Sequence, residues 1–159
     1  MKLPKNKLLI FIVSLTLPFI AGAVGSAFTY SAIPTWYMML SKPSFSPPNW
    51  IFGPVWTILY LLMGVSFYLV LVSKKSRKKS QVISVFLGQL VLNSFWSVAF
   101  FGLRSPVFGV IIIVPLWILI LTMIKRFLKV DKTAGLINIP YILWVSFASI
   151  LNIAIAILN

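Results

Sequence analysis

Five apolar runs, each close to the length of a membrane-spanning helix, constrain this chain more than anything else in its sequence. They cover roughly residues 8–29, 51–73, 82–101, 107–124 and 134–158. A helix needs about 20 mainly apolar residues to cross a hydrocarbon core of about 30 Å, and each run approaches that length. Together they take up most of the 159 residues, leaving short loops and no room for a soluble domain. The alternating pattern of a membrane β-barrel, with strands of about ten residues, is absent. The fold class that follows is an all-α integral membrane protein, one domain over 1–159 built as a five-transmembrane-helix bundle. A mean hydropathy of +1.05 and a 9% share of charged residues agree with it.

The net charge of +13 points to nucleic acid only until the charges are placed. With five spans, one face holds the N-terminus, the second loop and the fourth loop. Those regions carry Lys2, Lys5 and Lys7; Lys74, Lys75, Arg77, Lys78 and Lys79; and Lys125, Arg126, Lys129 and Lys132. Lys42 and Arg104 are left for the other face. Cytoplasmic loops gather Lys and Arg, so the N-terminus is expected in the cytoplasm and the C-terminus outside. A four- or six-span count would mix the basic loops across both faces. The cations then have anionic membrane lipid to meet, and no nucleic-acid partner is expected. The N-terminal lysines, apolar core and Ala21-Gly22-Ala23 also resemble a secretory leader with its cleavage site. The run stays apolar past Ala23 to Phe28, however, so the first span is expected to be retained.

The chain has no histidine, no cysteine and a single acidic residue, Asp131. Paired carboxylates, metal-ligand clusters and nucleophile–base constellations need residues that are missing. No metal site, no cofactor and no conventional catalytic residue is therefore expected. Coupled transporters place ionisable groups inside the membrane, and none falls within these runs. A binding role is what remains.

Residues 36–60, WYMMLSKPSFSPPNWIFGPVWTILY, join the first two runs and hold three of the six tryptophans. Long connections in a bundle tend to be lids or binding loops, so residues 30–49 are expected to form a lid. Pro47-Pro48-Asn49 can stop the loop and start a helix, and Gly53-Pro54 offers a second start with Pro54 at its first position. If the helix begins at Asn49, Pro54 kinks it instead. Trp56, Tyr60 and Gly64 share one helical face, where the glycine suits either a close neighbouring helix or a flat ligand. Asn93, Trp96, Ser97 and Phe100 form a second stripe. A buried asparagine needs partners, in the bundle or on a ligand. Tyr141, Trp144, Ala148 and Asn152 form a third. Three such stripes suggest one shared aromatic cavity. Trp117 lacks these companions and reads as a packing or lipid-facing residue, while Trp36 and Trp50 fit interfacial anchors as well as a pocket rim. The small pairs Ala21/Gly25, Gly22/Ser26 and Ser84/Gly88 suit close helix packing, within or between protomers.

These residues resemble the TspO/MBR family of tryptophan-rich sensory proteins and translocator proteins. The resemblance rests on Trp36-Tyr37, Lys42-Pro43-Ser44-Phe45-x-Pro47-Pro48 and Phe52-Gly53-Pro54-Val55-Trp56-Thr57-x-Leu59-Tyr60. Two further matches are Leu92-Asn93-x-x-Trp96-Ser97-x-x-Phe100-Phe101 and Pro140-Tyr141-x-x-Trp144-x-x-Phe147-Ala148-x-x-Leu151-Asn152. It implies a membrane bundle, commonly a homodimer, in a prokaryotic cell membrane, that binds tetrapyrroles such as protoporphyrin IX and other flat aromatic small molecules. It further implies a pocket beneath the first loop, lined by helices 1, 2, 3 and 5, with Tyr37, Trp56, Asn93, Ser97, Trp144 and Ala148 on the ligand. Pro47, Tyr60, Trp96 and Tyr141, from the same motifs, complete the expected ligand-binding set. Some bacterial members degrade porphyrin in light, a role that would fall to Trp56 here. Transport of lipid or small molecules is a further alternative. The basic-aromatic motif through which animal members bind cholesterol is missing from the closing LNIAIAILN, so the resemblance does not extend to cholesterol. As the cations on the outer face, one or both of Lys42 and Arg104 would meet the porphyrin propionates, or else simply snorkel at the interface.

Overall fold

The computed structural model describes residues 7–74 and 79–159. Lys2, Lys5, Lys75, Arg77, Lys78 and the side chain of Lys79, all counted above in the basic face, lie outside the described residues. Helix α1 covers Lys7–Ala32 and continues through a π-turn, Ile33–Tyr37. A 3-10 turn over Asn49–Ile51 leads into α2, Phe52–Val72. Helix α3, Lys79–Ser97, ends in a second π-turn, Val98–Gly102. Then follow α4 (Pro106–Val130), the short α5 (Lys132–Leu136) and α6 (Ile139–Leu158). Joined with their turns, these make five helices long and apolar enough to cross a membrane, and no strand occurs among the described residues.

The boundaries differ from the sequence expectation in three informative places. The first helix does not stop at residue 29. Pro34 lacks an amide hydrogen, and the wider π-turn around it absorbs the missing bond so that helical structure runs on to Met39. At 1.5 Å per residue, residues 7–39 reach about 50 Å, well beyond the hydrocarbon core. The expected lid of 30–49 thus shrinks to a connector over 40–48. In α2 neither start foreseen is quite right. Helical structure begins at Asn49, yet Pro54 sits in the first α-turn, where amides have no intrahelical acceptor to lose. Helix α4 continues past residue 124 to Val130, held by the fully buried Phe127. Lys125, Arg126 and Lys129 therefore project from a helix, not from a loop. Asp131 ends that helix and caps the next, its Oδ1 accepting from the Ala134 amide at 2.8 Å. The one acidic side chain has a structural task.

Helix α1 packs along α2 and α3, α3 along α4, and α4 along α6. The core is aromatic and aliphatic, with Phe67 and Phe86 stacked at 3.8 Å and Phe127 against them. Small residues set how closely the backbones approach. A Cβ on Gly64 would lie 2.8 Å from the Leu15 Cα, which answers the question the sequence left open: this glycine admits α1, not a ligand. A Cβ on Gly25 would lie 2.9 Å from the Ser97 Oγ, and one on Gly88 3.1 Å from Leu119. Gly25 and Gly88 thus sit against neighbouring helices of the same chain, whereas Ser26 and Ser84 are exposed. Trp117 is a packing residue, its indole N–H donating to the Ser146 Oγ at 2.8 Å.

Candidate functional site

A cavity of about 500 Å³ lies at the end of the bundle that carries the 40–48 connector. Its walls come from four helices. Helix α2 supplies Phe52, Trp56 and Tyr60; α3 and its π-turn supply Asn93, Trp96, Ser97 and Phe100; α6 supplies Trp144, Ala148 and Asn152. On α1 the lining is mostly small, with Gly22, Gly25, Ser26 and Thr29. Ala23, Ser26 and Tyr30 of α1 and Gly53 and Thr57 of α2 are exposed lining residues, so the mouth opens between these two helices.

The interior offers flat π-faces whose positions are fixed by hydrogen bonds. Trp56 stacks on Tyr60 with centroids 5.3 Å apart and planes at 29°. Trp96 stacks on Phe100 at 5.5 Å and 24°. The Tyr60 hydroxyl donates to Asn93 Oδ1 at 3.2 Å, and Asn93 Nδ2 donates to the Tyr141 hydroxyl oxygen at 3.2 Å. That hydroxyl in turn donates to Gln89 Oε1 at 2.8 Å. Asn152 accepts from the Trp96 indole at 3.0 Å and donates to the Pro106 carbonyl at 2.8 Å. Each amide thus joins two helices and locks a ring of the wall. Offset-stacked arrangements of this kind favour a planar π-system as a further layer.

Of the residues expected at the site, Tyr37, Trp56, Tyr60, Asn93, Trp96, Ser97, Trp144 and Ala148 all line this cavity. Tyr141 does not: it is buried behind the wall, where it holds Asn93 and Gln89 in place. Pro47 also stays off the lining and belongs to the connector, near the turn in which the Ser46 amide donates to the Pro43 carbonyl at 3.0 Å. The two cations separate. Neither lines the cavity, but Lys42 Nζ lies 4.2 Å from the centroid of Tyr37, itself a wall residue, whereas Arg104 is exposed. Helix 1 was expected in the wall from the family resemblance, but none of its lining residues was named from the sequence. Its signal was present in Gly22/Ser26, but small residues at that spacing fit helix packing equally well. The Gly22 site meets the Tyr60 ring so closely that no Cβ fits.

The connector is tied down at both ends. The Asn159 side chain accepts from the Ser41 amide at 2.9 Å and donates to the Ser41 carbonyl at 3.0 Å. Farther along, Phe45 meets Phe147 edge-on at 6.4 Å.

Asn93→Leu is expected to lower the thermal midpoint, since it strands the buried Tyr60 hydroxyl, a loss of about 1–3 kcal/mol. Adding Tyr60→Phe should recover part of it, because two apolar partners leave nothing unsatisfied. Unfolding in detergent, followed by tryptophan emission, measures both. If the double variant is no better than Asn93→Leu, the hydrogen bond is not what matters.

Comparison with known proteins agrees with this architecture. The model of the TspO/MBR family matches residues 14–158. The chain is 45% identical over 139 residues to the tryptophan-rich protein TspO of Chlorobaculum tepidum, covering 87% of this chain and 88% of that one. It is 43% identical over 138 residues to the tryptophan-rich protein TspO of Archaeoglobus fulgidus, covering 87% and 89%. It is also 32% identical over 137 residues to the translocator protein of Homo sapiens, covering 85% and 81%.

Proposed function

The chain belongs to the TspO/MBR family of integral membrane proteins, and from that premise we propose that it binds a tetrapyrrole of the protoporphyrin IX type as a sensor or carrier in a prokaryotic cell membrane. The observation that carries the reading is the pair of stacked ring sets, Trp56–Tyr60 on α2 and Trp96–Phe100 on α3 and its π-turn, in the walls of one cavity. A porphyrin is a wide planar π-system that stacks on such faces. Its propionates need donors near water, and Lys42 stands over the Tyr37 ring at the cavity edge. In this reading the N-terminus is cytoplasmic, the cavity end of the bundle faces outward, and two copies associate as a homodimer. Quenching of tryptophan emission during titration with protoporphyrin IX tests it. Saturable quenching supports the proposal, and its absence rejects it.

Two expected results refine this reading. Lys42→Ala weakens protoporphyrin IX binding several-fold and flattens its salt dependence, while Arg104→Ala, off the cavity lining, does neither. Equal effects of the two substitutions would refute the assignment to Lys42. The chain holds no histidine or cysteine to ligate iron, so metal-free porphyrin should bind more tightly than haem in competition titrations.

A photochemical reading is the second one, favoured by Trp56 standing in the wall with its ring stacked on Tyr60. Illumination of the complex in air separates the two. A new porphyrin product that disappears in Trp56→Phe supports turnover, and unchanged porphyrin supports binding alone.

A further inference from the structure

The bundle is not closed equally all round. Helix α2 packs against α1 beyond the mouth they share and against α5, and α6 lies along α4, but α2 and α6 make next to no backbone approach. Side chains alone close the seam between them: Phe52 against Trp144 at 6.0 Å and Trp56 against Tyr141 at 6.2 Å. Outside this seam runs a groove of about 380 Å³. Val55, Ile58 and Leu59 of α2 and Pro140, Leu143 and Phe147 of α6 line it, together with Trp144. Among the described residues, Trp144 alone borders both the groove and the cavity.

Trp144 also differs from its counterparts in what holds it. The indole N–H of Trp96 donates to Asn152 and that of Trp117 to Ser146. The N–H of Trp144 is buried and has no hydrogen-bond partner. No polar contact fixes this ring, so its position depends on what presses on it from either side. From inside that is Phe52 and whatever fills the cavity.

We propose that an acyl chain of a bilayer lipid fills the α2–α6 groove and backs Trp144, and that this chain sets how tightly the cavity binds its ligand. The groove lies between two helices long and apolar enough to span a membrane, which sets it against hydrocarbon, and apart from the Trp144 indole its lining side chains carry no hydrogen-bonding group. Packed interiors leave few voids, and a bilayer supplies chains to fill this one. A single acyl chain needs no partner of matching shape to enter an apolar slot between two membrane-spanning helices, and a second copy covering it is the alternative that cross-linking tests. The filled groove keeps the indole seated against Phe52 as one wall of the cavity. An empty groove lets the ring swing outward and removes that wall. The coupling part of the proposal rests on the tetrapyrrole-binding reading; the lipid site itself does not.

The experiment uses the full chain in phosphatidylcholine nanodiscs with plain or dibrominated acyl chains, since a bromine in contact with an indole quenches its emission. The emission difference between the wild type and Trp144→Phe isolates Trp144. Bromination is expected to cut that difference at least twofold, and to leave it unchanged in the Val55→Phe background, where a ring occupies the groove. Protoporphyrin IX affinity should fall about tenfold from nanodiscs to a short-chain detergent, and should stop depending on the medium in Val55→Phe. Undiminished Trp144 emission in brominated lipid would overturn the lipid site. So would its replacement by cross-linking between two copies bearing Leu143→Cys, an otherwise cysteine-free chain. Quenching by bromine with affinity indifferent to the medium would overturn the coupling. No porphyrin binding in any medium would reject the cavity reading and leave the bromine result to judge the groove by itself.

Discussion

Gly22→Leu is expected to weaken protoporphyrin IX binding about a hundredfold while the bundle stays folded. Gly22 lies on α1 against the Tyr60 ring, and even a Cβ there overlaps that ring. The open space beside the phenol is the cavity it lines, and relief takes the ring into it. Moving it breaks the stack with Trp56 and the bond to Asn93. An aromatic pair contributes about 0.5–1.5 kcal/mol beyond its buried area, and the hydrogen bond about 0.5–1.5 kcal/mol. The ring and the leucine together also occupy room the ligand needs. A total near 3 kcal/mol corresponds to about a hundredfold in Kd. Titration followed by tryptophan quenching reads the affinity, and helical circular dichroism reads the fold. Wild-type affinity in a folded Gly22→Leu protein would mean that the ligand does not lie against Tyr60.

Gly64→Leu should act on the other side of the ledger, reducing stability by about 3 kcal/mol whether or not ligand is present. Its Cβ would sit 2.8 Å from the Leu15 Cα and 2.9 Å from the Ser14 carbonyl oxygen. Both are backbone atoms, so relief requires α1 and α2 to separate along the tightest part of their contact. No flexible side chain can give way instead. Gly53→Leu is the matched control, because a Cβ on Gly53 meets nothing within 4 Å. Thermal unfolding in one detergent should show a large drop for Gly64→Leu and almost none for Gly53→Leu. Equal midpoints for the two would show that the helices do not close as described.

Much of the site was legible because its chemistry repeats at helical spacing. Trp56 and Tyr60, Asn93, Trp96 and Ser97, and Trp144 and Ala148 each share a face, and the three faces meet in one cavity. Tyr141 carries the same spacing yet sits one layer behind, since the rotation of α6 turns its ring to Gln89 and Asn93. Spacing fixes which residues share a face but not which neighbour the face meets. The resemblance implied an α1 wall, but its residues went unnamed for the related reason that glycine and serine carry no chemical signature. Gly64 and Gly22 look alike in sequence, and only the partners, a backbone in one case and a ring in the other, tell them apart.

The sequence by itself determined the membrane class and the five spans, because each follows from composition and run length without reference to any partner. Family membership was already written in its motifs. The tertiary structure decided the rest. Pro34 is absorbed in a π-turn that lengthens α1 and shortens the connector to 40–48. Asp131 becomes a helix cap. The mouth opens between α1 and α2, and the opposite seam, toward α6, is closed by side chains. These depend on the distance between helices, which is set by the contact between two surfaces and cannot be read from either one alone.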